Sequence, residues 1–177
     1  RITNKNLNKK IEADGMITSL NNIVLGVLTA DCAPIFIYDT KNKFICCLHS
    51  GWRGSLNNIS QNAINHFDRY NININSLVAI IGPCLGAKNY EVDKYFEKKF
   101  KEKNIKYSKF FKHKNKSKSY FNLRNLIKFQ LKELGINKIY SINRDTYSNE
   151  SIFFSHRRST HKGKKCSGRL INLISFT

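Results

Sequence analysis

The chain has 177 residues, enough for one domain with a buried core, and its 41% hydrophobic content excludes an intrinsically disordered chain. No apolar run approaches the roughly 18 residues of a membrane-spanning helix and no secretory signal pattern occurs, so we expect a cytoplasmic protein with no membrane partner. The formal net charge of +19 comes mainly from lysines distributed along the whole chain, which we interpret as compositional bias. Nucleic acid is therefore a disfavoured partner.

The five cysteines form no pattern typical of a disulfide framework. Their number is odd and their spacing irregular. Cys46 and Cys47 are adjacent in an apolar run, where strand geometry points them to opposite faces. We therefore expect reduced thiols in a cytoplasmic protein.

The N-terminal part of the chain predicts strands joined by turns. Residues 1–15 are polar and rich in lysine and asparagine, so we expect a mobile lead-in. Apolar, β-branched runs then predict strands. These strands cover residues 23–29, 35–38 and 44–48, and residues 39–43 form a hairpin-like connection between the last two. Because Pro34 cannot donate a ladder hydrogen bond, a bulge or turn is expected beside it.

The rest of the chain alternates helices and strands. A helix begins at Ser55 or Asn57 and runs to about residue 70, with an apolar face of Ile59, Ala63, Ile64 and Phe67. Further helices are expected over residues 91–103 and 122–134, the second ended by Gly135, and further strands over 77–81, 138–142, 152–158 and 168–174. This order, without a repeat, predicts one α/β or α+β domain over residues 1–177.

The densest basic segment, residues 106–118, contains aromatic residues between its lysines. Such a pattern is compatible with nucleic-acid binding, and a basic nucleic-acid-binding module is one alternative function. The segment also has the polarity of an exposed loop, which is the interpretation we favour.

Two short segments carry most of the chemical information: Leu28-Thr29-Ala30-Asp31-Cys32-Ala33-Pro34 and Leu48-His49-Ser50-Gly51-Trp52-Arg53-Gly54. Each begins at the end of an apolar run, where a predicted strand meets a loop, so Cys32 and His49 are candidate catalytic residues. A thiol and an imidazole brought together suit a nucleophile with its base, or two ligands of a zinc ion. The alternative is a buried free cysteine beside a histidine that is hydrogen-bonded in a turn.

A catalytic zinc site uses three protein ligands, so Cys32 and His49 need a partner. The candidates in the chain are His66, His113, His156, His161 and Cys84. A ligand from a segment that precedes Arg1 is the other possibility. The sequence alone leaves this choice open.

Further candidates for substrate binding are less specific. The turn before the predicted helix contains Arg53, which suits a phosphate or carboxylate. Cys84 follows a Gly-Pro pair and is a candidate pocket residue, while Glu91 is interpreted as an acid at a helix N-terminus. Arg157 lies in a basic run that could orient a polar substrate, although solvated surface residues are the more common explanation of such a run.

These segments together resemble the YfiH-like family, also catalogued as multicopper polyphenol oxidase (laccase) domain proteins. The matching motifs occur in the same order over nearly the whole chain: Glu12-Ala13-Asp14-Gly15-Met16-Ile17-Thr18, residues 29–34, residues 49–54, Ile81-Gly82-Pro83-Cys84, Tyr90-Glu91-Val92, residues 153–158 and Gly168-Arg169. The pair formed by residues 29–32 and 49–54 is the most specific. The resemblance implies a YfiH-like fold, with mixed β-sheet layers flanked by helices and similar to cysteine hydrolases.

The resemblance also implies a zinc site of two histidines and one cysteine, of which Cys32 and His49 match two. The family's other histidine lies in a Gln-Val-His motif upstream of residues 12–18, and residues 1–11 contain no histidine. Because the chain starts at Arg1 rather than at a methionine, we expect an N-terminal segment that carries this ligand. The sequence departs from the family pattern at His156, commonly tyrosine, and at Asp145, often cysteine.

The activity implied by the resemblance is phosphorolysis of purine nucleosides such as adenosine, inosine, guanosine and methylthioadenosine, with adenosine deamination alongside. The implied small-molecule partners are a purine nucleoside and phosphate, with zinc as cofactor, and we expect a monomer or weak homodimer. A copper-dependent polyphenol oxidase is a weaker alternative, since five histidines without His-x-His spacing are few for several copper sites. A cysteine-type peptidoglycan-editing hydrolase is the other enzyme alternative.

Overall fold

The computed structural model describes residues 1–41 and 44–176. Within them the strands are, in chain order, β1 (Gly15–Thr18), β2 (Val24–Thr29), β3 (Ala33–Asp39), β4 (Ile45–Ser50), β5 (Leu77–Ile81), β6 (Glu91–Asp93), β7 (Phe111–His113), β8 (Lys118–Phe121), β9 (Lys138–Ser141) and β10 (Leu170–Ser175). The helices are α1 (Trp52–Leu56), α2 (Ile59–Asp68), α3 (Lys94–Lys103), α4 (Leu123–Glu133) and α5 (His156–His161).

A five-stranded sheet with the order β1-β4-β3-β5-β9 forms the centre of the fold. Its pairs are antiparallel except for β5 and β9, which run parallel and are connected through α3 and α4. Helices α1, α2 and α4 cover one face of the sheet, and a two-stranded ribbon of β2 and β10 covers the other. The small sheet β6-β8-β7 packs beside α3. The expected mixed α/β architecture of sheets and helices is confirmed.

Burial on both faces of the central sheet explains its apolar sequence. Cys46 belongs to the large core beneath the helices, which contains Ile35, Ile37 and Phe67. Cys47 points to the opposite face, into the smaller core beneath the ribbon. The predicted opposite orientation of these two cysteines is therefore confirmed, and all five cysteines of the chain are unpaired thiols.

Most predicted elements are present with shifted ends. Strand β5 spans the predicted residues, and α4 has Asn122 as its N-cap and ends before Gly135, whose φ of +90° suits glycine. The predicted strand at residues 23–29 is β2, although Val24 and Leu28 are exposed, because the ribbon buries only one face. Two residues of the predicted connection 39–43, Asn42 and Lys43, lie outside the described residues.

Four predictions about secondary structure were wrong. The helix expected from residue 55 to 70 is divided into α1 and α2 by Asn58, whose φ is +51°. The helix expected from residue 91 starts only at α3, because Glu91 lies in β6 and Asp93 caps the helix. The strand expected at residues 152–158 is a turn followed by α5, which Ser155 caps.

The fourth wrong prediction concerns the basic segment, residues 106–118, which is not an exposed loop. It folds into a 3₁₀ turn, β7 and the start of β8, and its aromatic residues Tyr107, Phe110 and Phe111 are buried. Its lysines face outward, so the interleaved pattern reflects a structural element with one buried face.

The predicted lead-in is bonded to the fold along part of its length. The amide of Ile2 donates to the carbonyl of Ile17 at 2.8 Å, and the Thr18 hydroxyl donates back to the carbonyl of Ile2 at 3.1 Å. Residues 15–18 form β1, which the sequence analysis missed. Among the described residues the longest helix, α4, has 11 residues, and none is long and apolar enough to cross a membrane.

Candidate active site

The turn between β2 and β3 positions the central residues of the candidate site. Asp31 adopts a φ of +81°, a conformation that aspartate tolerates better than most residues. Its carboxylate accepts hydrogen bonds from the Thr146 hydroxyl and from the Arg157 amide, both at 2.6 Å. Its carbonyl accepts the amide of Leu85 at 2.9 Å. Asp31 thus connects three distant segments directly beside Cys32.

Cys32 is half-buried directly before β3, across from Gly51. The register pairs Pro34 with His49, which places Cys32 opposite the residue two positions after His49. A Cβ atom on Gly51 would lie 2.8 Å from the Cys32 Sγ, so the sulfur occupies space that only glycine leaves. Burial raises the pKa of the Cys32 thiol to about 11, Asp31 adds to this shift, and Arg169 opposes it.

His49 lies at the end of β4 beside Asp14. The His49 amide donates to the Asp14 carbonyl at 2.7 Å, and the imidazole Nδ1 lies 3.5 Å from the Asp14 Oδ1. A carboxylate beside Nδ1 favours the tautomer in which Nε2 would be free to bind a metal ion. His49 is not among the residues that line the cleft next to Cys32.

The donor set fits part of a zinc site. A thiol and an imidazole on neighbouring strands are ligands that zinc prefers, and the contact between Asp14 and His49 is typical of metal-bound histidines. Over residues 1–41 and 44–176, no group of three or more histidine, cysteine or acidic side chains is gathered for a metal ion. The zinc site expected from the resemblance therefore stays a prediction, with Cys32 and His49 as two of its three ligands.

Of the other candidate histidines, three lie elsewhere or are engaged, and His156 lies in the same cleft as Cys32. His113 contacts Lys94, and the Nδ1 of His161 is 2.9 Å from the Tyr147 hydroxyl. His66 lines a separate cavity, whereas His156 lines the cleft that contains Cys32.

A cleft of about 420 Å³ opens beside Cys32, within the usual size range of small-molecule sites. Its apolar wall includes Trp52 and Phe96, whose ring centroids are 5.2 Å apart. Leu85 and Val92 extend this wall. Polar residues also line the cleft: Asp31, Asp93, His156 and Arg157. The arrangement offers flat apolar surface to a planar ring and charged groups to a polar ligand.

Tyr90 also lines this cleft and is only 9% exposed. Burial raises the pKa of its phenol, with further contributions from the nearby Cys32 and Asp31, and Arg157 acts in the opposite direction. The Arg157 guanidinium lies 5.4 Å from the centre of the Tyr90 ring.

Arg157, a predicted substrate-binding residue, shares the cleft with Cys32. Its Nη1 donates to the carbonyls of Glu91 at 2.9 Å and Asn89 at 3.4 Å, which holds the side chain across the small sheet. Its other guanidinium nitrogens have no hydrogen-bond partner among the described residues, so they remain available to an anion.

The structure separates Arg53 and Cys84 from this group. Arg53 stacks on Trp52, with Cζ 4.7 Å from the ring centre, and lines a cavity of about 380 Å³ together with Asp14 and His66. Cys84 is fully buried below the cleft, and burial raises its pKa to about 11 against the influence of Arg124.

Sequence reasoning missed three functional candidates. Tyr90 and Phe96 line the cleft from the segment around β6 and α3, and the sequence analysis did not single them out as site residues. Asp31 directly precedes Cys32, and its position next to a proline-containing turn was the one signal that could have identified it.

Comparison with known proteins agrees with the motif order. The family model described as "Multi-copper polyphenol oxidoreductase laccase" matches residues 1–177. Proteins named purine nucleoside phosphorylase from Rickettsia conorii and Campylobacter jejuni are 37% and 36% identical over 92% and 94% of this chain. The chain spans 68% of the length of each of these relatives.

Solved structures show the same fold. YfiH of Bacillus licheniformis superposes with a TM-score of 0.85 and 27% identity, over 93% of this chain and 61% of the other. A Neisseria meningitidis protein gives a TM-score of 0.86 and 25% identity, over 96% of this chain and 66% of the other. The chain thus spans less than two thirds of the length of these structures.

Proposed function

This chain belongs to the multi-copper polyphenol oxidoreductase laccase family, and from that premise we propose that it is part of a purine nucleoside phosphorylase. One observation carries the proposal: a cleft of about 420 Å³ opens beside Cys32 in a chain whose curated relatives bear that name. The substrates are purine nucleosides, such as adenosine, inosine, guanosine and methylthioadenosine, together with phosphate.

Cys32 and His49 are the proposed zinc ligands, and the third ligand comes from residues that precede Arg1. When bound, zinc supplies Lewis-acid polarisation and an activated water, which suits adenosine deamination as a second activity. Asp14 orients His49 through Nδ1, and Gly51 leaves the space for the Cys32 sulfur. We choose zinc over copper because five histidines without His-x-His spacing are too few for several copper sites.

Arg157 is the proposed phosphate-binding residue of the cleft. Its position is fixed by two backbone carbonyls, while its remaining N–H groups are available for an oxyanion. Arg53 serves as a second anion contact only if the phosphate extends toward the neighbouring cavity, because it does not line the cleft itself. Cys84 is buried directly before Leu85, which lines the cleft. We propose that it affects substrate binding only by supporting the loop that contains Leu85.

The five unpaired cysteines support a cytoplasmic location for this activity. The compact cleft supports small molecules as partners, rather than a polymer laid across the surface.

The decisive experiment uses the protein with its full N-terminus, incubated with adenosine or inosine in phosphate buffer and in phosphate-free buffer. We expect chromatography to detect adenine or hypoxanthine with phosphate only, and no base release by Cys32→Ala or His49→Ala. The matched control Cys166→Ala, at an exposed thiol, retains activity. Absence of base release by the folded, zinc-loaded protein would overturn the proposal and favour the peptidoglycan-editing hydrolase.

A further inference from the structure

Tyr90 is a largely buried residue whose hydroxyl has no hydrogen-bond partner among the described residues. The residue is 9% exposed, lines the cleft beside Cys32, and has no hydrogen-bond partner for its hydroxyl among residues 1–41 and 44–176. Among the described residues, the buried side-chain atoms without a partner are Ser60 Oγ and Arg124 Nε, so the Tyr90 hydroxyl is accessible from the cleft that the residue lines. A ligand in the cleft can therefore supply its hydrogen-bond partner.

The ring of Tyr90 is held firmly by neighbours that do not involve its hydroxyl. It packs edge-on against Phe121, with ring centroids 5.2 Å apart, and against Phe96 at 6.3 Å. The Arg157 guanidinium lies 5.4 Å from the ring centre. These contacts fix the direction of the hydroxyl without satisfying it, which is what a preorganised binding group requires.

The aromatic rings of Trp52 and Phe96 define the apolar side of the same cleft. Their centroids are 5.2 Å apart, and both residues are only partly buried, so ring surface remains accessible. Aromatic faces of this kind stack on nucleobases, and the stacking tolerates different bases. Tyr90 lines the same cleft, with its ring centroid 6.3 Å from that of Phe96.

We propose that Tyr90 is a substrate-binding residue that donates a hydrogen bond from its hydroxyl to a purine nucleoside whose base stacks on Trp52 and Phe96. The inference rests on the proposed function for the class of ligand. It assigns to these three residues a role in recognition that is distinct from the metal ligands Cys32 and His49. A phenol is protonated at neutral pH, so it acts as a hydrogen-bond donor.

Trp52 is the single tryptophan of the chain, which provides a direct measure of binding. Titration of the protein with adenosine or inosine, without phosphate, is expected to change the Trp52 fluorescence in a saturable way. For Tyr90→Phe, loss of one hydrogen bond raises the Kd about tenfold, and kcat/KM in phosphate falls by a similar factor. This measurement reads binding independently of catalysis.

The matched control is Tyr95→Phe, which removes the same oxygen from a tyrosine that is 67% exposed on α3 and does not line the cleft. Its Kd and kcat/KM remain those of the parent protein. The melting temperature of Tyr90→Phe also remains unchanged, because no hydrogen bond within the described residues is lost. A role confined to folding would lower this temperature instead.

The outcomes separate the two proposals. If the parent protein binds nucleosides and releases base, but Tyr90→Phe has the same Kd and kcat/KM, then the role of Tyr90 is overturned while the phosphorylase function stands. If the parent protein shows neither saturable fluorescence change nor base release, both proposals fail. A clear drop in the melting temperature of Tyr90→Phe would show that the hydroxyl has a structural partner, which also overturns the inference.

Discussion

The cleft beside Cys32 and the basic segment, residues 106–118, both contain aromatic and charged residues. They differ in whether their polar groups have hydrogen-bond or ion-pair partners. In the cleft, the Tyr90 hydroxyl and part of the Arg157 guanidinium have no partner among the described residues. In and around the basic segment, the acidic groups are paired with lysines and the aromatic rings are buried. Polar groups that are left free beside a cleft, rather than charge density, are therefore the basis on which we choose the candidate site.

Glu97 illustrates the structural use of charge beside the basic segment. Its side chain is 3% exposed and accepts hydrogen bonds from Ser119 at 2.6 Å, while Lys101 lies at 2.6 Å and Lys94 at 3.3 Å. On the neighbouring strand, Glu91 is ion-paired with Lys114 and, at 3.7 Å, with Lys118. Several lysines of a strongly basic chain are therefore needed to hold α3 and the small sheet together.

The largest effect is expected from Asp31→Ala, which removes the connection between the cleft and its surroundings. The variant loses two hydrogen bonds to a buried carboxylate and places alanine at a φ of +81°, a combined cost of about 4 kcal/mol. Urea unfolding measures this loss, and base release should disappear with it.

Asp31→Asn is the matched control for this variant. Asparagine keeps an acceptor oxygen and tolerates the left-handed conformation, so we expect less than half of the destabilisation. Equal stability of Asp31→Ala and the parent protein would contradict the assigned role of Asp31.

The second effect concerns stability around Glu97 and leaves the cleft intact. Burial alone would raise the pKa of Glu97, but hydrogen bonds from Lys101, Ser119 and Lys94 lower it from 4.5 to about 2. Because the pKa in the folded state is depressed, this stabilisation is complete above about pH 4.5 and is lost as the pH falls toward 2. Glu97→Gln should therefore reduce stability at neutral pH by about 2 kcal/mol and flatten its acid dependence.

Unfolding curves at several pH values test this, with Glu102→Gln as the control on the same helix. Glu102 forms an exposed pair with Lys98 at 3.7 Å, so its replacement should cost little. Equal acid sensitivity of Glu97→Gln and the parent protein would show that Glu97 is not the titrating group.

The third effect is confined to the cleft and is expected from Gly51→Ala. The added Cβ would lie 2.8 Å from the Cys32 Sγ, so the sulfur must move. Displacement of a proposed metal ligand by a few tenths of an ångström should lower zinc affinity and kcat/KM about tenfold. Gly54→Ala is the control, since its Cβ meets the His49 carbonyl at 3.4 Å. Similar zinc affinities of the two variants, measured by competition with a chelator, would contradict this geometry.

Sequence analysis predicted the features that depend on short motifs. It did not predict contacts between segments that are far apart in the sequence. The positions of Cys32 and His49 at strand ends, the opposite orientation of Cys46 and Cys47, and the end of α4 at Gly135 follow from short-range patterns. The hydrogen bonds that Asp31 accepts from Thr146 and Arg157 join residues more than one hundred positions apart. Local sequence patterns cannot predict such contacts.

The errors within elements also have physical causes. Strands β6 and β7 have three residues each, which is too short for an alternation of apolar and polar residues to be recognised. For this reason the residues of β6 were predicted as the start of the helix that is α3. The functional candidates Tyr90 and Phe96 flank this strand, Tyr90 directly before it and Phe96 in the first turn of α3. Their role depends on which ring edge faces the cleft, and that orientation is set by tertiary structure.

The smallest effect is expected in the basic segment itself. Lys112 and Lys116 are exposed and form no ion pair among the described residues, so their replacement by alanine should change stability by less than about 0.5 kcal/mol. Activity toward adenosine should also be unchanged, because neither residue lines the cleft. Binding to a single-stranded oligonucleotide, measured across a range of salt concentrations, completes the test. If replacing both lysines reduces the salt dependence of such binding, then the basic segment binds polyanions. That result would contradict the view that its charges have only a structural role, in contrast to those of the cleft.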